Sequence, residues 1–444
     1  MRKKSITFSY PQVPEWAQAL DICKKLNARG YTAYLAGGCV RDALLGRPPK
    51  DFDVATSARP EQVIELFPQS LLVGKAFGVV IVEGIEVATF RRDGPYSDGR
   101  HPDHVEFCSA QEDAQRRDFT VNALFYDVAQ NQVIDYVEGL EDLQGRCLRT
   151  VGSPLDRFQE DLLRPLRALR FLAQLEGFFL DSATLEAIAQ VAPRAEAVAK
   201  ERVWQEWEKI LLSSSQRRVE SLKLLKSTGW WERIFPAWWQ DLESLKLWDQ
   251  LWQRHLEFRP PRDQKASAQV LQLMALSFYD ELRGHWQGGE VAEEHGISNF
   301  VRQVEGWLKQ AHTSGETQQG VSFLLLQLPL MLGLRSGTLA EGLRVLGSDF
   351  GYLLPDLALS LSESPEQSQR VHKLVEAYGG LCTPEGRLPK PLVGGRDLMA
   401  LGVAQGPQVG QILAQVYDQQ LEGLIESRVE ALKLLETLLS GGAD

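Results

Sequence analysis

Residues 36–56 read AGGCVRDALLGRPPKDFDVAT, in which a glycine pair is followed by a short helical pattern and then by two aspartates. The apolar residues 34–36 predict a short strand, and residues 40–45 predict a helix. Gly37 and Gly38 let the backbone between this strand and this helix turn closely around a phosphate. The free N–H groups and the dipole at the start of the helix favour an anion there. The stretch therefore predicts a phosphate-binding turn between a strand and a helix.

The two aspartates of this stretch, Asp51 and Asp53, alternate with Phe52 and Val54. On a strand, both carboxylates would project from one face and the apolar pair from the other. Neighbouring carboxylates repel each other unless a cation lies between them, and Mg²⁺ takes one or two protein carboxylates and completes its shell with phosphate oxygens and water. An isolated pair of this kind is more often a solvated strand edge. Together with the glycine turn, it predicts a nucleoside triphosphate site with Mg²⁺ at Asp51 and Asp53.

The same stretch resembles the first motif of the class II tRNA nucleotidyltransferases and bacterial poly(A) polymerases, within the DNA polymerase beta superfamily. Four later segments resemble the remaining motifs of that family in the family's order: residues 116–124, 135–143, 160–171 and 201–211. The resemblance implies that Gly38 and Arg41 cradle the triphosphate and that Arg117 grips phosphate or ribose. It also implies that residues 135–143 form a hinge between a head and a neck.

The fourth segment contains Asp161 and Arg164, which the resemblance identifies as the base-reading pair. Cytosine and adenine each present an amino donor beside a ring acceptor, whereas guanine and uracil present the reverse. A carboxylate beside a guanidinium therefore complements C and A and opposes G and U. The alternative from the residues alone is an ordinary ion pair on a helix surface.

Arg167 and Arg170 continue this spacing, and we expect them to complete the nucleotide pocket. The sequence from Arg91 to Arg170 contains eleven arginines and no lysine, which favours planar, bidentate grips on phosphates and base edges. Pro165 is incompatible with a helix interior, so the helix is expected to begin close to Arg164 or to be kinked there.

Two further features border this site. Glu86 lies on an alternating strand pattern and is either a third active-site carboxylate or a solvent-facing residue. Residues 93–104 predict a mobile surface loop, which resembles the loop that full CCA-adding enzymes use when they switch from C to A. Its His101 and His104 fit solvated loop histidines better than a metal site. Ala76 stands where bacterial poly(A) polymerases tend to have a basic residue, which favours tRNA CCA addition.

Composition is consistent with an intracellular multidomain enzyme of 444 residues, 44% hydrophobic, with a net charge of −11. The five cysteines are scattered without CxxC spacing, so they predict neither a disulfide framework nor a zinc site. No apolar run is long enough to span a bilayer, and a cytoplasmic location is expected. An arginine-lined cleft can bind phosphate within an acidic molecule.

The pattern changes near residue 150 from short strands to helices, which predicts an α+β fold. We expect a nucleotidyltransferase head with a small mixed sheet at 1–150, followed by a helical neck at 151–260, a helical body at 261–390 and a helical tail at 391–444. Glycine-spaced residues 395–410 resemble the tRNA-holding tail of class II enzymes. The tryptophans between Trp204 and Trp252 fit helix packing better than RNA stacking.

The expected activity is template-independent addition of CCA to the tRNA 3′ end from CTP and ATP, with Mg²⁺ and with release of pyrophosphate. The expected partners are tRNA, CTP and ATP, with no membrane and no stable protein partner. Three alternatives stay open: a poly(A) polymerase or A-adding enzyme, a nucleotidyltransferase that modifies a small molecule, and a catalytically silent RNA-binding protein.

Overall fold

A computed structural model describes residues 2–5, 13–49, 51–74, 78–96, 102–213, 215–236, 274–275, 278, 294–384, 386–403 and 406–440. The chain divides into two compact units, Met1–Ala237 and Trp238–Asp444. The predicted boundary near residue 260 lies outside the described residues. The division into head, neck, body and tail stays a prediction.

The first unit contains an eight-stranded mixed sheet with the strand order β1-β10-β9-β2-β3-β6-β5-β4, and two small two-stranded sheets. The strands are β1 Arg2–Ser5, β2 Ala33–Ala36, β3 Asp53–Thr56, β4 Leu71–Gly74, β5 Val79–Val82, β6 Ile85–Thr89, β7 Arg91–Asp93, β8 Val105–Phe107, β9 Phe125–Asp127, β10 Gln132–Asp135, β11 Cys147–Leu148 and β12 Phe179–Leu180.

Helices cover the sheet and make up most of the first unit after residue 150. They are α1 Pro14–Ala28, α2 Gly38–Leu44, α3 Pro60–Leu66, α4 Ala110–Gln115, α5 Gly139–Gly145, α6 Pro154–Glu160, α7 Arg164–Gln174, α8 Ser182–Val191, α9 Lys200–Leu211, α10 Ser215–Ser227 and α11 Trp231–Ile234. Pro165 lies in the first turn of α7, where its missing N–H has no helical partner to lose. The predicted start of this helix close to Arg164 is therefore confirmed.

Strand β3, which begins at Asp53, lies near the centre of the large sheet. β3 pairs antiparallel with β2 and parallel with β6. Val54 and Val87 on these strands are fully or almost fully buried, and this burial fixes the register. The prediction that both aspartates lie on a strand is wrong for Asp51, because β3 begins at Asp53 and Asp51 precedes it. Phe52 is nevertheless buried, as the alternation predicted.

The tryptophans described in this unit form part of the helical core. Trp207, Trp231 and Phe235 pack ring against ring at centroid distances of 5.8, 5.0 and 4.3 Å. Trp230 is fully buried and donates through Nε1 to the carbonyl of Ile188. These residues pack helices together, as the sequence predicted. The remaining tryptophans of the cluster, Trp238, Trp239, Trp248 and Trp252, lie outside the described residues.

The described part of the second unit is helical, which agrees with the predicted α+β class. Its α-helices of four or more residues are α12 Glu294–Gln310, α13 Gly315–Leu332, α14 Leu339–Leu346, α15 Leu354–Leu361, α16 Pro365–Leu381, α17 Gly395–Ala400, α18 Pro407–Leu421 and α19 Arg428–Ser440. Within the regions the structure describes, no helix combines the length and apolar character needed to cross a bilayer.

Candidate active site

The two aspartates face a large cavity in the first unit. The cavity has a volume of about 1270 Å³, and both Asp51 and Asp53 line it. Burial, together with the charges of Glu86 and Asp51, raises the pKa of Asp53 to about 6 against the opposing charge of Arg117. The surroundings of Asp53 therefore disfavour its ionised form, and a cation bound beside it would favour that form.

The donor set suits a hard divalent cation with phosphate oxygens as further ligands. Asp53 lies directly opposite Glu86 across the β3–β6 pair, but the Glu86 side chain is exposed. Nowhere in the described ranges do three His, Cys, Asp or Glu side chains form a group that could hold a metal ion. Two protein carboxylates are nevertheless enough for Mg²⁺ when phosphate and water complete the shell. Whether Glu86 is a third ligand stays a prediction.

The glycine turn brings the backbone close to these carboxylates. Gly37 has a φ of 76° in the left-handed region. A Cβ at this position would lie 3.2 Å from Nη1 of Arg117 and 3.7 Å from Oδ2 of Asp53. Gly38 begins α2 and, like Gly37, lines the cavity. Both the backbone angle and the crowding explain why the turn requires glycine at position 37.

Arg41 and Arg117 meet at Asn122, a residue for which sequence analysis assigned no role. Arg41 donates to the side-chain oxygen of Asn122 at 2.5 Å, and Arg117 donates to its backbone carbonyl at 3.2 Å. Asp113, which is only 1% exposed, accepts from Nε and Nη2 of Arg117 at 3.2 and 3.1 Å. Asn122 and Asp113 therefore hold the two predicted triphosphate-binding arginines in place. The family resemblance of residues 116–124 indicated that this segment belongs to the site, but it did not indicate these contacts.

Asp161 and Arg164 both line the cavity, but each pairs with another residue. Asp161 accepts from both terminal nitrogens of Arg202 at 3.0 and 2.9 Å. Arg164 donates to Glu160 at 2.5 Å and to the carbonyl of Arg157 at 2.8 Å. Asp161 has extended backbone angles and precedes α7. Asp161 and Arg164 therefore do not form the ordinary ion pair on a helix surface that was the alternative for these two residues.

The two following arginines of α7 also have carboxylate partners on other elements. Arg167 donates to Asp118 at 3.0 and 2.6 Å. Burial opposes ionisation of Asp118, but Arg167, with Arg164 and the backbone N–H of Phe119, outweighs it and lowers the pKa to about 2. Arg170 donates to Glu206 of α9, and both side chains are buried. The pairs tie α7 to the sheet-bearing part of the unit and to α9.

The cavity is strongly basic although the chain is acidic. Its lining contains ten arginines and one lysine against six carboxylates, which agrees with the arginine-lined cleft predicted above. Lining residues to which sequence analysis gave no individual role include Arg47, Arg146, Arg202, Lys209 and Arg217. Arg202 and Lys209 fall within the segment 201–211. The resemblance of this segment to the fifth family motif could have identified them as residues of the site.

Only part of the loop at 93–104 is described. Tyr96 donates its hydroxyl to Asp93 at 2.8 Å, and its ring lies 5.8 Å from the guanidinium carbon of Arg164. His104 is exposed, with Nε2 3.8 Å from a carboxylate oxygen of Glu106. Residues 97–101, with His101, and residues 75–77, with Ala76, lie outside the described ranges.

An aspartate pair at a mixed sheet, a glycine turn beside it and arginine-bearing helices around the same cavity are typical of nucleotidyltransferases. Comparison with known protein families supports this class. Residues 33–149 match the Poly A polymerase head domain. Residues 177–242 match a family described as the probable RNA and SrmB-binding site of polymerase A.

Individual relatives extend the match over almost the whole chain. A CCA-adding enzyme of Enterococcus faecalis is 32% identical over 424 residues, which cover 94% of this chain and 95% of the relative. Poly(A) polymerase I of Haemophilus influenzae is 40% identical over 236 residues, which cover 49% and 51% of the two chains. The crystal structure of the Bacillus stearothermophilus CCA-adding enzyme in complex with CTP superposes with a TM-score of 0.75 at 28% identity, covering 97% and 99% of the chains. The chain belongs to the family of CCA-adding enzymes and bacterial poly(A) polymerases, whose nucleotidyl transfer depends on a divalent metal ion.

Proposed function

We propose that this protein is a CCA tRNA nucleotidyltransferase that adds C and A to the tRNA 3′ end from CTP and ATP and releases pyrophosphate. The observation that carries the proposal is a single cavity that brings Asp51 and Asp53 together with Asp161 and Arg164. Similarity to a CCA-adding enzyme over 94% of the chain favours CCA addition. Similarity to poly(A) polymerase I covers only 49% of it.

The triphosphate would bind between the glycine turn and two arginines. Arg41 and Arg117 provide cationic donors whose directions are fixed by Asn122 and Asp113. Because these groups are already oriented, little reorganisation is needed when charge develops on the phosphate oxygens. Gly38 leaves the backbone open beside them.

Asp51 and Asp53 would hold Mg²⁺. When bound, this ion supplies charge stabilisation to the phosphate oxygens and favours ionisation of the attacking 3′-hydroxyl. The raised pKa of Asp53 is consistent with a carboxylate that is fully ionised only with a cation beside it.

Base selection would use Asp161 and Arg164 without a nucleic acid template. Arg202 occupies one lone-pair direction on each oxygen of Asp161 and fixes the plane of the carboxylate, and at least one acceptor direction is left on Oδ2. The guanidinium of Arg164 has five N–H donors, and Nη1 serves its two contacts within the protein. An amino group of C or A can therefore donate to Asp161 while a ring nitrogen accepts from Arg164.

An extension assay tests the proposal directly. tRNA transcripts that end before CCA, before CA and before A are incubated with labelled CTP, ATP and Mg²⁺. We expect the protein to complete all three and then stop, and Asp53→Ala to abolish incorporation while it still binds tRNA. Continued addition of A would identify a poly(A) polymerase, and extension of only the last transcript an A-adding enzyme. Turnover by Asp53→Ala would contradict the metal assignment.

The tail is the part of the second unit that we propose to hold the tRNA. Helices α17, α18 and α19 pack around Leu398, Val416, Ala431 and Leu435, which are all buried. We propose that the outer surface of these three packed helices contacts the folded RNA. Because the proposed substrates are tRNA, CTP and ATP, we expect the enzyme to act in the cytoplasm.

A further inference from the structure

Phe171 of α7 lies where three arginines of the cavity converge. Its side chain lines the cavity and is 7% exposed. The guanidinium carbons of Arg170, Arg41 and Arg167 lie 3.8, 5.2 and 5.6 Å from its ring centroid. All three distances fall within the range of about 6 Å in which an aromatic face attracts a cation. We refer to Arg41, Arg167 and Arg170 as the Phe171 arginines.

The Phe171 arginines come from separate elements and carry like charges. Arg41 belongs to α2, directly after the glycine turn, whereas the other two belong to α7. Cations gathered around one point repel each other, so something must hold them together before an anion arrives. The ring attracts each of them through its quadrupole and carries no net charge. It therefore does not compete with phosphate as an added carboxylate would.

The polar partners of the Phe171 arginines hold only part of each guanidinium. Asp42 and Asn122 accept from Arg41, Asp118 accepts from Arg167, and Glu206 and Gln174 accept from Arg170. Hydrogen bonds of this kind anchor particular nitrogens, but a planar group can still tilt about them. Contact with a flat ring restricts that tilt and leaves the remaining N–H donors pointing in fixed directions.

We propose that Phe171 is a positioning residue that orients the Phe171 arginines to bind the triphosphate of the incoming nucleotide. The identity of this ligand rests on the nucleotidyltransferase function proposed above. Phe171 itself touches no reacting atom. We expect its effect to fall on the phosphates that CTP and ATP share, because the proposed base-reading residues Asp161 and Arg164 lie at the start of α7, whereas Phe171 lies about two turns further along the helix.

Binding measured by calorimetry in the presence of Mg²⁺ tests this role. The ligands are CTP and inorganic tripolyphosphate, and the variants are Phe171→Leu, which removes the ring, and Phe171→Tyr, which keeps it. We expect Phe171→Leu to weaken both ligands about tenfold, the scale of one cation–π interaction, and Phe171→Tyr to bind both like the wild type. Unchanged tripolyphosphate binding by Phe171→Leu would overturn the proposal. So would a loss confined to CTP, because it would place the ring at the base or sugar.

A packing control separates orientation from general loss of stability. Phe158 of α6 is fully buried, and it lies outside the residues that line the cavity. Phe158→Leu removes the same atoms, so we expect a comparable or larger fall in melting temperature with CTP binding unchanged. Equal weakening of CTP binding by Phe158→Leu and Phe171→Leu would overturn the positioning role.

The calorimetric measurement contains no RNA. Its result therefore does not depend on whether the protein extends tRNA. A wild-type protein that binds CTP and tripolyphosphate but extends no tRNA transcript would end the proposed function. The role of Phe171 in triphosphate binding would then still be decided by its variants.

Discussion

Asp161 gains its direction from a residue on another helix. The bidentate contact from Arg202 and the backbone N–H of Leu163, which donates at 3.0 Å, leave the carboxylate little freedom to rotate. A carboxylate fixed in this way can reject a base by facing an acceptor with an acceptor, because it cannot turn away. We therefore expect the proposed base selection by Asp161 and Arg164 to depend on Arg202 as well.

Replacement of Asp161 tests base selection. Asp161→Ala removes the acceptor that opposes G and U, and the penalty for such a mismatch is about 1–3 kcal/mol. We therefore expect discrimination against UTP and GTP to fall about 10- to 100-fold, with a smaller change in the Mg²⁺ concentration needed for activity. Competitive incorporation into tRNA transcripts measures this ratio. Asp156→Ala, an exposed carboxylate on α6, is the control, and unchanged selectivity in Asp161→Ala would remove the protein-template mechanism.

The pH dependence of activity tests the environment of Asp53. Its pKa is raised to about 6, so the carboxyl becomes protonated, and binds a cation poorly, as the pH falls through about 6. We expect kcat/KM for CTP to fall over this range and the midpoint to move lower with more Mg²⁺, because the cation favours the ionised form. Profiles recorded at two Mg²⁺ concentrations measure the shift.

Replacement of Glu86 provides a second test of the raised pKa of Asp53. Since its charge helps to raise the pKa of Asp53, Glu86→Gln should move the midpoint to lower pH, whereas Glu65→Gln, an exposed residue on α3, should leave it in place. Activity abolished at every pH would instead make Glu86 a metal ligand. An unmoved midpoint with normal activity would show that Glu86 does not act on Asp53.

Among the helices and turns, residues 135–143, which resemble the third family motif, form a tightly packed contact with the turn at residues 120–122. Asp135 accepts from the backbone N–H groups of Val137, Gly139 and Leu140 at 3.0, 3.1 and 2.9 Å and so fixes the start of α5. A Cβ at Gly139 would lie 2.2 Å from the carbonyl oxygen of Thr120. The helix therefore packs against the turn that carries Asn122, which in turn holds Arg41.

Two alanine substitutions in α5 should have opposite effects. Gly139→Ala forces a methyl group into the Thr120 backbone, and such overpacking costs about 1–3 kcal/mol in the free energy of unfolding. Gly145→Ala places its methyl group in open space and should stabilise by about 0.4–1 kcal/mol, because it restricts the unfolded chain. Denaturant unfolding measures both. A Gly139→Ala variant as stable as the wild type would contradict the close packing.

Sequence patterns predicted helices and strands better than they predicted contacts between side chains. The proline at position 165 is a local signal, and α7 begins at Arg164, as predicted. The pairing of Asp161 with Arg202 joins residues 41 positions apart, and the salt bridge of Arg167 with Asp118 spans 49. Such partners depend on how helices pack in three dimensions. The sequence could identify the charged residues of the site, but it could not show which of them neutralise one another.

In the second unit, residues of the predicted tail and of the predicted body share one core. Leu421 of α18 packs with Ala340 and Leu343 of α14, and all three are at most 2% exposed. Arg344 and Asp418 form an ion pair at 3.2 Å across the same contact. Deletion of residues 391–444 would expose this apolar face. A truncated protein that fails to bind tRNA would therefore not by itself show that the tail contacts RNA.

Surface substitutions test tRNA binding by the tail while leaving this core intact. Arg396 and Lys433 are exposed cations of the predicted tail, and Lys390 is an exposed cation directly before it. Replacing the three with glutamine should preserve the melting temperature and the affinity for CTP. If they bind phosphates, tRNA affinity falls, and the slope of log K against log salt decreases by about 0.7–0.9 for each phosphate that is no longer neutralised. Filter binding at several salt concentrations measures this slope. The matched control replaces the exposed cations Lys24, Arg29 and Lys226 of the first unit, and equal slopes for the wild type and the tail variant would place the tRNA-binding surface elsewhere.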